Sequence, residues 1–244
     1  MYNVAIIGYG FVGKGTEYLL NICGSMNISL HDPAQNLIVT NWSGIQYAFI
    51  CVPTPESEDG LDLDISLVQE CYQMCLDNGV IPVIRSTLGP DQVSHFPEAI
   101  MMPEFLREAN WIEDVEQIDT LIFGGDATEL VRLFSAKNYM IVDAQTAMLY
   151  KMARNALLAT KVVIANQLKG ACDNLDASYE DLVQLLMQNN TLGQTHWSVP
   201  GPDSLPGYGG KCFPKDISHM STLCEPHNIF SHAIKINNKL RKGE

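Results

Sequence analysis

Short apolar runs recur over roughly the first 140 residues, each closed by a breaker. After that the apolar positions merge into long helical periods. Tyr2 to Ile7 is apolar, β-branched and followed by glycine, the mark of a buried strand. Comparable runs at Ile28–Asp32, Tyr47–Val52, Val80–Arg85, Ile100–Met102, Thr120–Gly124 and Tyr139–Val142 predict further strands. Helical stretches lie between them, at Gly15–Cys23, from a cap at Asp64 or Ser66 to about Asn78, and around Thr128–Ala136. Strands alternating with helices predict a Rossmann-like, doubly wound parallel sheet over residues 1–142. From Asp143, a plausible N-cap, to about Leu175 only Gly170 interrupts a sequence rich in Ala, Leu, Met and Lys. This predicts a single helix of about 45 Å at 1.5 Å per residue. Helices at Tyr179–Asn189, Asp216–Leu223 and Ile229–Lys242 complete an all-helical domain over residues 143–244.

The first strand runs into Gly8-Tyr9-Gly10-Phe11-Val12-Gly13, a G-x-G-x-x-G pattern. Alone it is weak, but a strand precedes it and a helix follows. Asp32 ends the second strand, 24 residues after Gly8. These are the parts of a dinucleotide site: glycines that let a pyrophosphate approach, a helix N-terminus with unpaired N–H groups, and an acid for the adenosine ribose. An acid at Asp32 repels a 2′-phosphate, so NAD is expected rather than NADP. An ordinary strand–helix turn is the plainer alternative. Ligands in such sheets lie beyond the carboxyl ends of the strands, which places Val52-Pro53-Thr54 and Ser86-Thr87 along the same cleft.

Composition narrows the class. The chain has 244 residues, is 46% hydrophobic and carries a formal net charge of −13, which argues against nucleic acid or an anionic membrane as partner. Seven cysteines without framework spacing predict free thiols in a reducing, cytosolic setting. Cys71 and Cys75 stand four apart without matching His or Cys partners, so no metal site is expected. No apolar run approaches membrane-spanning length.

Candidate chemistry concentrates in Gly207-Tyr208-Gly209-Gly210-Lys211-Cys212-Phe213-Pro214-Lys215-Asp216. Glycines allow close approach to a ligand, and Cys212 offers a nucleophile with Lys211 and Lys215 nearby to favour its thiolate. A glycine-rich turn with a buried Cys is the plainer reading. Lys151 and Asn155 stand one helical turn apart. Glu104 and Glu108, in Pro103-Glu104-Phe105-Leu106-Arg107-Glu108, are spaced to share one face and to hold a water or a substrate hydroxyl; a solvated helix start is the alternative.

Together GYGFVG, CVPTP at 51–55, ST at 86–87, PEFLRE at 103–108, K-x-x-x-N at 151–155 and PGYGGKCFPKD at 206–216 resemble the UDP-glucose/GDP-mannose dehydrogenases over the whole chain. The resemblance implies a four-electron oxidation of a sugar C6 alcohol to the carboxylate with NAD. Cys212 would be the nucleophile, Lys151 and Asn155 the oxyanion donors, and Asp216, Thr87 and Glu104 or Glu108 the groups handling water. Lys215 would lie near the cofactor. Glu104, Phe105, Leu106, Glu108, Lys151, Asn155 and the loop holding Leu205, Tyr208 and Gly209 would contact a nucleotide sugar, UDP-glucose first among the candidates. Lys211 is assigned no role. The segment between Asp32 and Tyr47 is shorter than in the family, and the family's third domain, which grips the nucleotide, is expected to be missing. A homodimer is expected through Met148–Leu168 of the long helix. Two other readings stand beside this one: a two-electron 3-hydroxyacid-type dehydrogenase, which needs no nucleophilic Cys, and a non-catalytic or partner-dependent NAD-binding module.

Overall fold

The computed structural model describes residues 2–24, 26–57, 62–224 and 226–243. They fall into two compact units, Met1–Glu58 with Asp62–Lys151, and Met152–Glu244.

The first unit is built on seven strands, β1 (Tyr2–Ile7), β2 (Met26–His31), β3 (Tyr47–Ile50), β4 (Ile81–Ile84), β5 (Ile100–Met101), β6 (Thr120–Gly124) and β7 (Asn138–Val142), in the order β2-β1-β3-β4-β5-β6-β7. All neighbours are parallel except β5 and β6, which pair antiparallel through Met101 and Gly124. The expected parallel sheet is therefore corrected at one pair. Every residue of β3 is buried, as a central strand covered on both faces requires. The helices of this unit are α1 (Phe11–Cys23), α2 (Ser66–Asp77) and α3 (Trp111–Glu116). The first packs Gly13, Gly15, Thr16, Leu19 and Leu20 inward. Phe134 closes the core edge-on to Phe49 at 6.3 Å and tilted to Phe123 at 5.6 Å. The helix expected around Thr128–Ala136 is a 3₁₀ turn over Leu130–Phe134.

The long helix α4 spans Ala144–Leu175, and the division between the units falls inside it, after Lys151. Asp143 caps it, its Oδ1 accepting from the Thr146 N–H at 2.8 Å. In the second unit Ala156, Ala159, Val162 and Val163 of α4 pack with Tyr208, Ile217 and Ala233. The other helices are α5 (Tyr179–Met187), α6 (Phe213–Thr222) and α7 (Ile229–Lys242). Ser178 caps α5 and Asn228 caps α7. Lys239, Arg241 and Lys242 lie in the last turn of α7, where cations suit the negative end of the helix dipole. Helix α6 begins at Phe213, three residues before the expected start. Pro214 sits in its first turn, where a missing N–H costs nothing.

Candidate active site

The dinucleotide fingerprint adopts the geometry its glycines allow. Gly8 has φ +85°, and a Cβ there would stand 2.9 Å from the Cys51 carbonyl oxygen. A Cβ on Gly13 would meet the Gly8 oxygen at 2.2 Å, so the turn closes only with glycine at both positions. Gly10 is the N-cap of α1 and faces open space, with nothing within 4 Å of a Cβ built on it. No acid occupies the first turn of α1, which leaves the positive end of the helix free to receive a phosphate. Phe11 and Val12 begin the helix behind it.

Asp32 follows β2. Its Oδ2 accepts from the Tyr9 N–H at 2.8 Å and from Gln35 Nε2 at 2.8 Å. The Tyr9 N–H holds the carboxyl below the usual aspartate range, with Gln35 adding to the effect against a desolvation cost. The carboxylate is thus ionised and tied to the fingerprint turn, as a ribose acceptor should be. Val52 and Thr54 are buried and Pro53 is exposed. Ser86 Oγ donates to the Val52 oxygen at 2.7 Å, which ties the β3 and β4 exits together, and Thr87 is half-buried beside it. An open helix N-terminus, a glycine cradle and an ionised acid all fit an NAD-type ligand.

Glu104 and Lys151 form the second cluster of this unit. Lys151 Nζ lies 2.9 Å from Glu104 Oε1 and also donates to the Glu104 carbonyl. Glu104 Oε2 accepts from the Leu106 N–H at 2.6 Å, so both carboxylate oxygens are engaged. Phe105 places its ring 5.4 Å from Lys151 Nζ. The expected shared face of Glu104 and Glu108 is corrected. Residues 102–107 have no regular structure, Glu104 is buried and Glu108 is exposed. A four-residue spacing aligns side chains only on a helix.

Sequence reasoning passed over Arg85. It is 2% exposed, and its Nε and Nη1 find no acceptor among the described residues. Burial lowers its pKa while Cys51 and Glu104 oppose that shift, which puts a second buried cation in the field of Glu104. A charged residue closing the apolar run Ile81–Ile84 was the available signal.

In the second unit Asp216 is fully buried and bridges two partners. Asn155 Nδ2 donates to Oδ2 at 2.6 Å, and Lys215 Nζ reaches Oδ1 at 2.6 Å. Lys215, expected near the cofactor, is therefore paired with Asp216. Cys212 is half-buried at the N-cap of α6, where the positive end of the helix dipole favours negative charge. Tyr208 is 5% exposed, and burial pushes its hydroxyl up to about 12. Leu205 is exposed and Gly209 half-buried in the same loop. Among the described residues there is no group of three or more metal-ligating side chains, and no helix is long and apolar enough to cross a membrane.

Comparison with known proteins agrees with the motifs. Residues 145–239 match the family model described as the UDP-glucose/GDP-mannose dehydrogenase family, central domain. The UDP-glucose 6-dehydrogenase of Rickettsia felis is 29% identical over 209 residues, covering 77% of this chain and 45% of that protein. Other curated relatives are covered to 52% and 57% of their length, so the chain spans about half the length of the curated relatives it matches. Among solved structures, a UDP-glucose dehydrogenase from the hyperthermophilic archaeon Pyrobaculum islandicum superposes with a TM-score of 0.82 at 20% identity, covering 100% of this chain and 68% of that one. The Mycobacterium tuberculosis 3-hydroxyisobutyrate dehydrogenase superposes at 0.69 and 17% identity, covering 98% of this chain and 93% of that one. At such identities the structures establish the fold, and the fold alone does not separate these two chemistries.

Proposed function

We propose that this chain, whose residues 145–239 match the central domain of the UDP-glucose/GDP-mannose dehydrogenase family, oxidises the C6 alcohol of a nucleotide sugar, UDP-glucose first among the candidates, to the carboxylate. The observation that carries the reading is the buried Asn155–Asp216–Lys215 cluster at the start of the helix whose N-cap position Cys212 occupies. A 3-hydroxyacid-type reaction has no use for that thiol.

NAD+ supplies the hydride acceptor for both oxidation steps when bound. The fingerprint turn and Asp32 bind and orient it. The first oxidation removes a hydride and a proton from the C6 alcohol to give the aldehyde, and Cys212 then adds to it through sulfur, forming a thiohemiacetal whose oxyanion needs a donor. Lys151 and Asn155 are the donors of the right type. Removal of hydride leaves a thioester. Water attacks it, the C–S bond breaks, and the thiol of Cys212 is regenerated with the carboxylate product. Asp216 takes the proton of that water. Leu205, Tyr208 and Gly209 form the loop against the sugar. We also propose that two copies associate through α4, which exposes Tyr150, Leu157 and Ile164 at seven-residue spacing.

The test is NADH formation with a panel of UDP- and GDP-sugars, for the wild type and Cys212→Ala. Two NADH per UDP-glucose in the wild type, with no completed turnover in the variant, is the expected result. NAD binding without oxidation of any sugar nucleotide sinks the proposal.

A further inference from the structure

Asn237 lies near the C-terminal end of α7, on the buried row Ala233, Asn237. Among the neighbouring lysines and Arg241 it reads as one more solvated residue, yet it is 4% exposed. An amide buried without partners is costly, so its contacts explain its presence. Asn237 Oδ1 accepts from the Tyr208 N–H at 2.7 Å, and Nδ2 donates to the Tyr208 carbonyl at 3.1 Å. One side chain thus satisfies both backbone groups of one residue, as a neighbouring strand would.

The surrounding contacts fix the same loop. Asn166 on α4 accepts from the Gly207 N–H at 3.2 Å and donates to the Val162 carbonyl at 2.8 Å. Gly207 has φ +77°, and a Cβ on it would stand 2.5 Å from Asn237 Oδ1. A Cβ on Gly209 would stand 2.6 Å from Arg241 Nη2. Arg241, one turn after Asn237, holds Asp203 at 2.7 Å. The loop therefore runs hard against α7, and at Gly207 the positive φ adds a backbone reason for glycine. Tyr208 then packs edge-on to Phe213, the residue after Cys212, with ring centroids 6.4 Å apart.

We infer that Asn237, assisted by Arg241, is a positioning residue that sets the Gly207–Gly209 backbone and through it the place of the Cys212 thiol. This rests on the reading of Cys212 as the nucleophile. It makes α7 a support of the loop beside Cys212.

The test is the rate at which iodoacetamide alkylates Cys212 in the full chain, followed by peptide mass spectrometry with Cys23 as internal reference. Sulfur displaces iodide in that reaction, and neither NAD nor sugar is needed. Asn237→Asp keeps the acceptor for the Tyr208 N–H but turns a carboxylate oxygen toward the Tyr208 carbonyl. The Cys212 rate is expected to change about tenfold at about pH 8, since small displacements at a reacting atom carry large rate effects. At about pH 5 a buried, protonated Asp donates again, and the ratio to wild type returns toward one. Ser231→Ala removes a hydrogen bond to the Asn228 carbonyl on the same helix, away from the loop, and leaves the rate unchanged. An unchanged rate in Asn237→Asp, or an equal change in Ser231→Ala, overturns the inference. If Asn237→Asp does not fold, Arg241→Met takes its place: a shift of about threefold in the Cys212 rate upholds the inference and no shift overturns it. A Cys212 rate that responds in a chain oxidising no sugar nucleotide upholds the clamp and sinks the dehydrogenase reading instead.

Discussion

Lys151 Nζ stands 2.9 Å from Glu104 Oε1, and the two side chains are only 4% and 7% exposed. Each charge depends on the other, because neither has water to fall back on. Lys151→Met leaves a buried carboxylate without its paired cation, held by the Leu106 N–H and the field of Arg85, and should cost about 3 kcal/mol, at the low end for a broken buried pair. Replacing both, as Lys151→Met with Glu104→Leu, should recover most of the loss, since an apolar pair carries no desolvation penalty. Urea denaturation of the three variants checks this. Equal midpoints for wild type and Lys151→Met would show that the pair holds nothing in place.

Gly15 couples α1 to the loop that carries Glu104. A Cβ at Gly15 would lie 2.5 Å from Leu106 Cδ1, and the Leu106 N–H is bonded to Glu104 Oε2. Gly15→Ala should destabilise by about 1–3 kcal/mol through overpacking. In a Leu106→Ala background the clash is gone, and the same change should be neutral or stabilising by up to about 1 kcal/mol, the helix preference of Ala over Gly. A double-mutant cycle by chemical denaturation reads this reversal of sign. Additive effects would separate the two sites.

These contacts mark where the sequence was legible. The fingerprint, Asp32 at its expected interval, the capped start of α4 and the bounds of α7 were all readable, because local propensity and packing agree there. The antiparallel β6 was not, since a strand's direction leaves no trace in its apolar run. Helix α3 has six residues, too few for a period to show. Glu104 and Glu108 carry helical spacing on a backbone that is not helical. Asn237 meets Tyr208 from 29 residues away, and Asp216, the neighbour that pairs with Lys215, meets Asn155 from 61 residues away. Pairings of that kind depend on tertiary approach rather than on motif.

The cysteines separate by burial. The thiols of Cys51, Cys71 and Cys75 are pushed up to about 11, 11 and 12 by desolvation. At about pH 8 they should be silent toward a disulfide reagent in the folded chain, because the thiolate is the attacking species. All seven should react once the chain is unfolded. Fast labelling of Cys75 in the native protein would contradict the packing of α2.

Asp32 provides a pH signature. Its carboxyl is held below the ordinary range by the Tyr9 N–H, so the unfolded chain binds its proton first as the solution is acidified. The stabilisation is complete above the unfolded value of about 3.9 and is lost as pH falls through the folded one. The stability gap between wild type and Asp32→Asn should therefore narrow below about pH 4. Thermal melts across that range test it, and a gap independent of pH would place the hydrogen bond outside the folded state's energetics.

Helix α4 carries an exposed apolar row. Tyr150, Leu157 and Ile164 are 47%, 62% and 47% exposed and recur at an interval of seven, the repeat that keeps one seam facing a partner helix. Large apolar side chains left in such a row lose contact with water only by meeting another surface. A second copy of the same helix offers the matching row in a two-fold arrangement, where each residue meets its own kind or a near neighbour. Leu157→Arg would place a charge in the middle of that seam and should convert a dimer to monomer at micromolar concentration. Leu185→Arg, which alters an equally exposed leucine at 63% on α5, should leave the mass unchanged. Light scattering of both variants beside the wild type decides the matter. A wild type already monomeric, or a Leu157→Arg chain that stays dimeric, would remove α4 from the interface.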